Sequence, residues 1–284
     1  MTAAAHSAPA TLESRIGVDI GRRLPLEEGI RWASAHGVHF MDVELDVGAN
    51  AIDTFDDHRS AAIRTACKSE GVMLRLHTLS AVNVAEYSIH VREGVDRYLR
   101  AYVDAAVRMG AAGVVVHAGY HFGKDKASRI EAGLERLGNL ARYAEEAGAR
   151  ILLENLNKEP VEAEVHYLAH TIEEWRYYYE RIASPAFGLS FTANHAHLVE
   201  EGVEGFLAHL PVDRVDEVRL ADCFRNGHEQ HLRPGQGNFD FGSLFVRLDA
   251  MGYEGPYINA FASLDDMLQG RTFMVEAARA AGLK

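Results

Sequence analysis

The chain has 284 residues, of which 48% are hydrophobic, so it can bury the core of one large α/β barrel or of two smaller domains, and we favour one. Its 41 acidic and 29 basic residues give a formal charge of −12, which opposes binding to a nucleic-acid backbone. The two cysteines, Cys67 and Cys223, are far apart and form no C-x-x-C pair, so neither a disulfide framework nor a thiolate zinc site is indicated.

The start of the chain lacks the basic segment and long apolar stretch of a signal peptide. We expect residues 1–13 to form a disordered tail, followed by a single domain over residues 14–284. No apolar run is long enough to span a bilayer. We therefore expect a cytoplasmic protein that binds a small molecule and neither nucleic acid nor membrane.

Short apolar segments alternate with longer segments of helical periodicity, which is typical of a parallel sheet covered by helices. The predicted strands span residues 16–21, 38–44, 73–79, 113–118, 150–155, 187–192, 217–222 and 257–261. The predicted helices span residues 25–35, 55–70, 91–109, 127–147, 172–182, 203–208, 241–251 and 264–281. Eight strand and helix pairs predict the α/β fold class and a single (β/α)8 TIM barrel.

Polar residues recur where these predicted strands end. The carboxyl ends of the strands of a (β/α)8 barrel form one rim, and active sites lie there. A single histidine at a strand end is more often structural than functional, so the convergence of several indicates a site. The residues predicted to converge are His77, His117, Glu154, His195, Asp222 and His231.

Four motifs resemble those of the xylose-isomerase-like barrels, in the order and spacing of that superfamily. They are VVHAG at 115–119, LENL at 153–156, NHAHL at 194–198 and HLRPGQGN followed by FDF at 231–241. The superfamily includes sugar phosphate isomerases and epimerases, dehydratases and apurinic endonucleases of the AP endonuclease 2 type. The resemblance covers nearly the whole chain from Ile16 onward and implies the barrel fold, but the motifs leave the reaction open.

In the isomerase-like members a divalent metal ion is held by Glu, Asp, His and Glu. The resemblance places Glu154 at the first position, Thr192 at the second, Arg219 at the third and Asn259 or Ala260 at the fourth. Alanine cannot bind a metal ion, and an arginine repels one. Two alternatives stay open: one divalent ion (Mn²⁺, Mg²⁺, Zn²⁺ or Co²⁺), or none, because three of the four family ligands are replaced.

The endonuclease-like members have two further metal positions around the same mouth. The resemblance assigns His77, His117 and Glu154 to one position, and it assigns His195, Glu229 and His231 to the other. Two imidazoles and one carboxylate, with an open position for water, form a common catalytic zinc site. The alternative is that these histidines only hydrogen-bond substrate hydroxyls and one another.

The retained residues also suggest chemistry without a metal ion. We expect burial to raise the pKa of Glu154, so that it acts as a base, with His117 and His195 relaying the proton. Arg219 would then be a fixed cation that stabilises a developing enolate. The alternative is that Arg219 only forms a buried pair with Glu154 or Asp222.

The hypothesis is an isomerase or epimerase that transfers a proton next to the carbonyl of a small sugar-like or oxo-acid substrate. One alternative is a lyase or dehydratase on a related substrate, and another is a non-catalytic sugar-binding barrel. A homo-oligomer is compatible with the resemblance. The residues expected to bind substrate are His77, Asn155, Asp222, Arg225, Arg233 and Asn238.

Overall fold

Eight parallel strands close into a barrel in the computed structural model, which describes residues 11–283. In chain order the strands are β1 (Ile16–Gly21), β2 (Phe40–Val43), β3 (Met73–His77), β4 (Val114–Val116), β5 (Tyr120–His121), β6 (Ile151–Glu154), β7 (His166–Tyr167), β8 (Phe187–Thr192), β9 (Val215–Leu220) and β10 (Tyr257–Asn259). The barrel order is β1, β2, β3, β4, β6, β8, β9 and β10, and β10 pairs with β1. The predicted fold class is therefore confirmed.

Ten α-helices occur in the described residues, and most of them form the outer layer of the barrel. They are α1 (Leu12–Arg15), α2 (Leu26–Ala35), α3 (Asp57–Glu70), α4 (Ile89–Met109), α5 (Lys126–Ala147), α6 (Ile172–Tyr179), α7 (Ala193–His197), α8 (Gly202–Leu207), α9 (Phe241–Ala250) and α10 (Leu264–Ala280). In α3, for example, the residues at each end explain where the helix begins and ends. The side chain of Asp56 accepts a hydrogen bond from Arg59 N at its start, and Gly71 adopts a left-handed conformation at its end.

The barrel strands are buried along almost their whole length, because helices cover them outside and side chains fill the interior. All six residues of β8 are buried, as are all four of β6. The apolar residues of the strands and of the inner helix faces form one continuous core. Each strand therefore delivers the residue at its carboxyl end to a fixed place on the rim.

Charged residues also occupy the barrel interior. Arg219 of β9 donates hydrogen bonds to Asp42 of β2 and to Asp19 of β1. Arg75 of β3 lies 3.3 Å from a carboxylate oxygen of Glu217 of β9. Because β9 is not adjacent to β2 or β3, these contacts cross the interior. They compensate buried charges that would otherwise strongly destabilise the fold.

The structure adds short elements to those expected from the sequence. The expected tail covers residues 1–13, of which 1–10 lie outside the described residues, and Thr11 caps the short helix α1. The helix α7 and the two-stranded sheet of β5 and β7 were not predicted. Among residues 11–283, no helix has the length and apolar character needed to cross a membrane.

Candidate active site

A polar cavity of about 260 Å³ opens at the carboxyl ends of the barrel strands. Drug-sized ligands usually occupy cavities of roughly 300–1,000 Å³, so this one suits a smaller molecule. Most of its lining side chains can form hydrogen bonds or carry charge. They include Asp19, Arg23, Glu44, His77, His117, Glu154, Tyr167, Thr192, Asn194, His195, Arg219, Glu229 and His231.

His77, His117 and Glu154 form the first ligand set at this mouth. They come from the ends of β3, β4 and β6, which are neighbours in the barrel. The Nε2 atoms of the two histidines are 3.2 Å apart, and they lie 3.3 Å (His77) and 3.1 Å (His117) from Glu154 Oε2. Ligand atoms about 2.1 Å from one tetrahedral zinc ion are about 3.4 Å apart, so the spacing suits a metal ion.

The hydrogen bonds around His117 indicate which of its ring nitrogens carries the proton. The Thr78 hydroxyl donates to the Val115 carbonyl at 2.9 Å, so its oxygen accepts from His117 Nδ1 at 3.4 Å. His117 Nε2 forms a hydrogen bond with Glu154 Oε2 at 3.1 Å, so a proton lies between these two atoms where a metal ion would bind. Burial lowers the pKa of His117, so that a bound cation can replace this proton.

His195, Glu229 and His231 form the second ligand set. His195 Nδ1 donates to the Asn155 carbonyl at 2.8 Å, and His231 Nδ1 donates to the Ala260 carbonyl at 2.7 Å. Carbonyl oxygens only accept, so Nδ1 of each ring carries a proton, and Nε2 is the nitrogen that can bind a metal ion. Both Nε2 atoms face Glu229 Oε1, at 3.0 Å from His195 and 2.8 Å from His231. Histidines that bind metal ions usually have this backbone-anchored arrangement.

The four-ligand site of the isomerase-like members does not fit this chain. The Thr192 hydroxyl donates to Glu154 Oε1 at 2.5 Å, and Arg219 Nε lies 3.9 Å from the same oxygen. Asn259 is fully buried and donates to the Met267 carbonyl at 3.1 Å. An arginine and two uncharged side chains thus stand where the family places three ligands, so no step is assigned to a metal ion there.

The electrostatic state of Glu154 is opposite to the one expected from its burial. Burial alone would raise the pKa of this carboxyl group. Hydrogen bonds from His117 and His77, together with the charges of His77 and Arg219, outweigh burial and hold its pKa well below the usual value. Glu154 is therefore ionised, and both of its carboxylate oxygens form hydrogen bonds. It orients the neighbouring side chains and is a weak base.

Arg219 is held mainly by interior carboxylates. Its terminal nitrogens donate to Asp42 and Asp19, and Glu217 Oε1 lies 3.5 Å from Nη1. These charges raise its pKa well above the usual value, even though burial lowers it. The expected buried pair is thus present, but its partners are chiefly Asp19 and Asp42, with Glu154 at 3.9 Å and no contact to Asp222 among the described residues.

Two predicted substrate-binding residues instead organise the backbone near the mouth. Asn155 exchanges hydrogen bonds with the Thr192 backbone, with Nδ2 donating at 3.0 Å and Oδ1 accepting at 2.7 Å, and so joins β6 to β8. The Asp222 carboxylate accepts backbone N–H groups and does not line the cavity. Its donors are Cys223, Gly235, Gly237 and Phe239. Asp222 thus orders the loop that carries Glu229 and His231.

Three more predicted substrate-binding residues lie outside the cavity. Arg225 donates to the carbonyls of residues 199 and 200, at 3.2 and 2.8 Å. Arg233 donates to Asp266 at 2.9 Å, and Asn238 Oδ1 lies 3.1 Å from His197 Nε2. The loop after β9 turns these side chains toward neighbouring helices and loops, so the structure does not bring them to the cavity, and their contact with substrate stays a prediction. Of the predicted binding residues, His77 lines the cavity.

Asn194 is a cavity residue that the sequence did not single out. It begins the NHAHL motif one residue before His195 and is 1% exposed. Its Nδ2 atom has no hydrogen-bond partner among the residues that the structure describes. A buried donor without a partner beside a cavity is suited to a ligand hydroxyl or carbonyl. Its position next to a candidate ligand was the available signal in the sequence.

Solved structures with the same architecture include several sugar epimerases. One is described as a D-tagatose 3-epimerase-like protein, with a TM-score of 0.78 and 20% identity over 94% of this chain and 98% of that chain. Another is a D-psicose 3-epimerase studied with D-fructose, with a TM-score of 0.76 and 15% identity over 95% of this chain and 100% of that chain. At these identities the likeness shows the fold.

A curated relative is an uncharacterized protein of Methanocaldococcus jannaschii, MJ1311. It is 25% identical over 202 residues, which are 69% of this chain and 67% of that protein. The family model described as "Xylose isomerase-like TIM barrel" matches residues 30–275. This match includes seven of the eight barrel strands and both ligand sets, and the closed barrel agrees with it. The chain therefore belongs to the xylose isomerase-like TIM barrel family.

Proposed function

We propose that this protein is a metal-dependent isomerase or epimerase that transfers a proton next to the carbonyl of a small sugar-like or oxo-acid substrate. The observation that carries the proposal is the convergence of two histidine and carboxylate sets on one small polar cavity. The sugar epimerases among the structures of similar fold support this reaction class over a lyase.

Each ligand set offers two imidazole nitrogens and one carboxylate oxygen within 4.8 Å of one another. Zn²⁺, Mn²⁺ and Co²⁺ accept this combination, and three protein ligands leave a position open for substrate or water. His77, His117 and Glu154 would hold one ion, and His195, Glu229 and His231 would hold the other. A divalent ion held there would polarise a carbonyl or hydroxyl oxygen of the substrate.

Glu229 is more accessible to a substrate than Glu154. Burial raises the pKa of Glu229, but hydrogen bonds from His195 and His231 and their charges lower it by a larger amount, so the choice of Glu229 as base depends on access and not on a higher pKa. Its Oε1 faces His195 and His231, while Oε2 has no hydrogen bond with the residues that the structure describes. Its side chain is 36% exposed, whereas that of Glu154 is 4% exposed. We therefore assign proton abstraction to Glu229 Oε2, which as the carboxylic acid then returns the proton to the enediolate, and Glu154 orients His77 and His117. Asn194 Nδ2 would donate to a substrate oxygen and so fix its orientation.

The direct test is proton exchange with solvent. A panel of ketoses, aldoses and oxo-acids is incubated in D₂O with the protein as purified and with added Zn²⁺, Mn²⁺ or Co²⁺, and deuterium next to the carbonyl is followed by NMR. We expect exchange and an isomeric product with wild type, and loss of both with Glu229→Gln. The control is Glu162→Gln, which removes an equal charge from an exposed loop.

The same experiment separates the alternatives. A product that has lost water would show that the reaction is a β-elimination and not an isomerisation. Binding without exchange under every metal condition would support a non-catalytic sugar-binding barrel. Full activity of Glu229→Gln together with loss of activity in Glu154→Gln would return the base to Glu154.

A further inference from the structure

Arg23 lies at the edge of the cavity with its charge uncompensated. Its Nε donates to the Ala262 carbonyl at 3.0 Å, and its Nη1 donates to the Asp19 carbonyl at 3.1 Å. Both acceptors are neutral backbone groups. Across residues 11–283, no carboxylate oxygen lies within 4.0 Å of its guanidinium group, whereas the adjacent Arg22 is 3.2 Å from Glu44. Nη2 makes no hydrogen bond to those residues and can bind a ligand.

The anchor of Arg23 has an unusual backbone. Ala262 has a φ of 38°, and it is one of two non-glycine residues with positive φ in the described part of the chain. Side chains with a Cβ atom disfavour this region, so the conformation persists because its surroundings hold it. Here the carbonyl of that residue is aimed at Arg23. The strained residue Ala262 therefore provides one of the two carbonyl groups that hold the guanidinium group of Arg23.

The same stretch of backbone also orients a candidate metal ligand. The carbonyl of Ala260, two residues before Ala262, accepts from His231 Nδ1 at 2.7 Å. The strands β1 and β10, which precede Arg23 and Ala260, are adjacent in the barrel. Arg23, Glu229 and His231 line the same cavity, so Arg23 lies on the side of the mouth that carries part of the second ligand set.

The other charged groups at this side of the cavity already have partners. Asp19 accepts a hydrogen bond from Arg219, and Glu44 pairs with Arg22. A guanidinium group presents paired donors that match the oxygens of phosphate and carboxylate. An arginine that is fixed by neutral groups can therefore bind such an anion without first breaking an ion pair.

We propose that Arg23 binds an oxyanion group of the substrate, so that the preferred substrate is a sugar phosphate or a sugar acid and not a neutral sugar. This inference rests on the proposed function in that the same mouth receives the substrate. Arg23 determines specificity and takes no part in the proton transfer. It therefore acts on binding of the anionic end of the molecule.

The test is calorimetric binding of four probes to the purified protein: inorganic phosphate, D-fructose 6-phosphate, D-glucuronate and D-fructose. Each titration is made with metal-loaded and with chelator-treated protein, because phosphate also binds metal ions. We expect Arg23→Gln to weaken the preferred anionic sugar roughly 10- to 100-fold, as for loss of a hydrogen bond to a charged group, with Arg23→Lys in between. Binding of D-fructose should not change.

The matched control is Arg22→Gln, which removes the same charge one residue away. Equal weakening by Arg22→Gln and Arg23→Gln would overturn the proposal, because the loss of one positive charge near the mouth would then explain the lower affinity. Tighter binding of D-fructose than of both anionic sugars, or unchanged affinities in Arg23→Gln, would also overturn it. A preference for D-fructose 6-phosphate or for D-glucuronate identifies the anion. Binding is read without turnover, so failure of the isomerase assay leaves this result interpretable.

Discussion

At the scale of single residues, Glu154 and Glu229 show how similar contacts give different roles. Each carboxylate faces two histidine Nε2 atoms with one oxygen. The second oxygen of Glu154 is occupied by Thr192, whereas that of Glu229 faces an open mouth. Burial is therefore a poor guide to which carboxylate is the base, because the hydrogen bonds that accompany burial can lower a pKa more than burial raises it.

The first prediction concerns Glu154→Gln. Replacing the anionic ligand by an amide should reduce the metal content of the His77 and His117 set by at least one half in protein purified without chelator. Elemental mass spectrometry measures this change, and Glu162→Gln serves as the control. Because the second set does not use Glu154, its ion should remain. Equal metal content in the two variants would show that Glu154 is not a ligand.

The second prediction concerns the pH dependence of stability. Burial and the charge of Glu217 raise the pKa of Asp42 to about 7, although Arg219 lowers it. The folded pKa thus exceeds the unfolded value of about 3.9, so protonation of Asp42 stabilises the folded state. This contribution to the free energy of unfolding is fully present below about pH 4 and is lost as the pH rises through 7. A shift of about three units corresponds to at most about 4 kcal/mol.

Asp42→Asn removes this titration and keeps an acceptor for Arg219. We expect the free energy of unfolding of the variant, relative to wild type, to rise as the pH increases from 5 to 8. Urea unfolding at several pH values measures it, and contributions of groups that do not interact with Asp42 are the same in both proteins and cancel. Parallel pH profiles would contradict the assignment of this pKa to Asp42.

At the scale of elements, the sequence located all eight barrel strands and their helices, because burial and periodicity are properties of short segments. The sequence also predicted that His77, His117 and Glu154 converge, because the carboxyl ends of the strands form one rim. It did not locate β5 and β7, which have two residues each. Nor did it show where Arg225 points, because the direction of a loop side chain depends on contacts formed only in the fold.

The third prediction tests the loop after β9. The Asp222 carboxylate accepts four backbone N–H groups, three of them from residues 235–239. A hydrogen bond to a charged group contributes roughly 1.5–3 kcal/mol, so Asp222→Ala should speed amide exchange in residues 223–239 at least tenfold. Hydrogen–deuterium exchange with mass spectrometry measures this, with the exposed Asp213→Ala as control.

The same variant should weaken the second ligand set, because Glu229 and His231 belong to that loop. The first set, on β3, β4 and β6, should keep its metal ion. Unchanged exchange in residues 223–239 would mean that the loop is held by contacts other than Asp222.

At the scale of the whole molecule, the two ligand sets join segments that are far apart in the sequence. The first set links residues on three neighbouring strands, and the second links α7 to the loop after β9. The sequence could not show that Arg219 meets Asp42, because the two are 177 residues apart and meet only when the barrel closes. Ligands that bind only the folded protein should therefore stabilise the closed barrel as a unit.

The fourth prediction is that chelation lowers the melting temperature. An ion present at 100 times its dissociation constant stabilises the folded state by about 2.7 kcal/mol, which is roughly 5–10 °C for a domain of this size. Calorimetry with and without EDTA should show this shift in wild type. His195→Ala should lose part of it, since one set remains, and adding Zn²⁺ back should restore wild type. A melting temperature that is insensitive to EDTA and to added Zn²⁺ would show that neither set holds an ion, and Arg219 would then be the cation left to stabilise negative charge at this mouth.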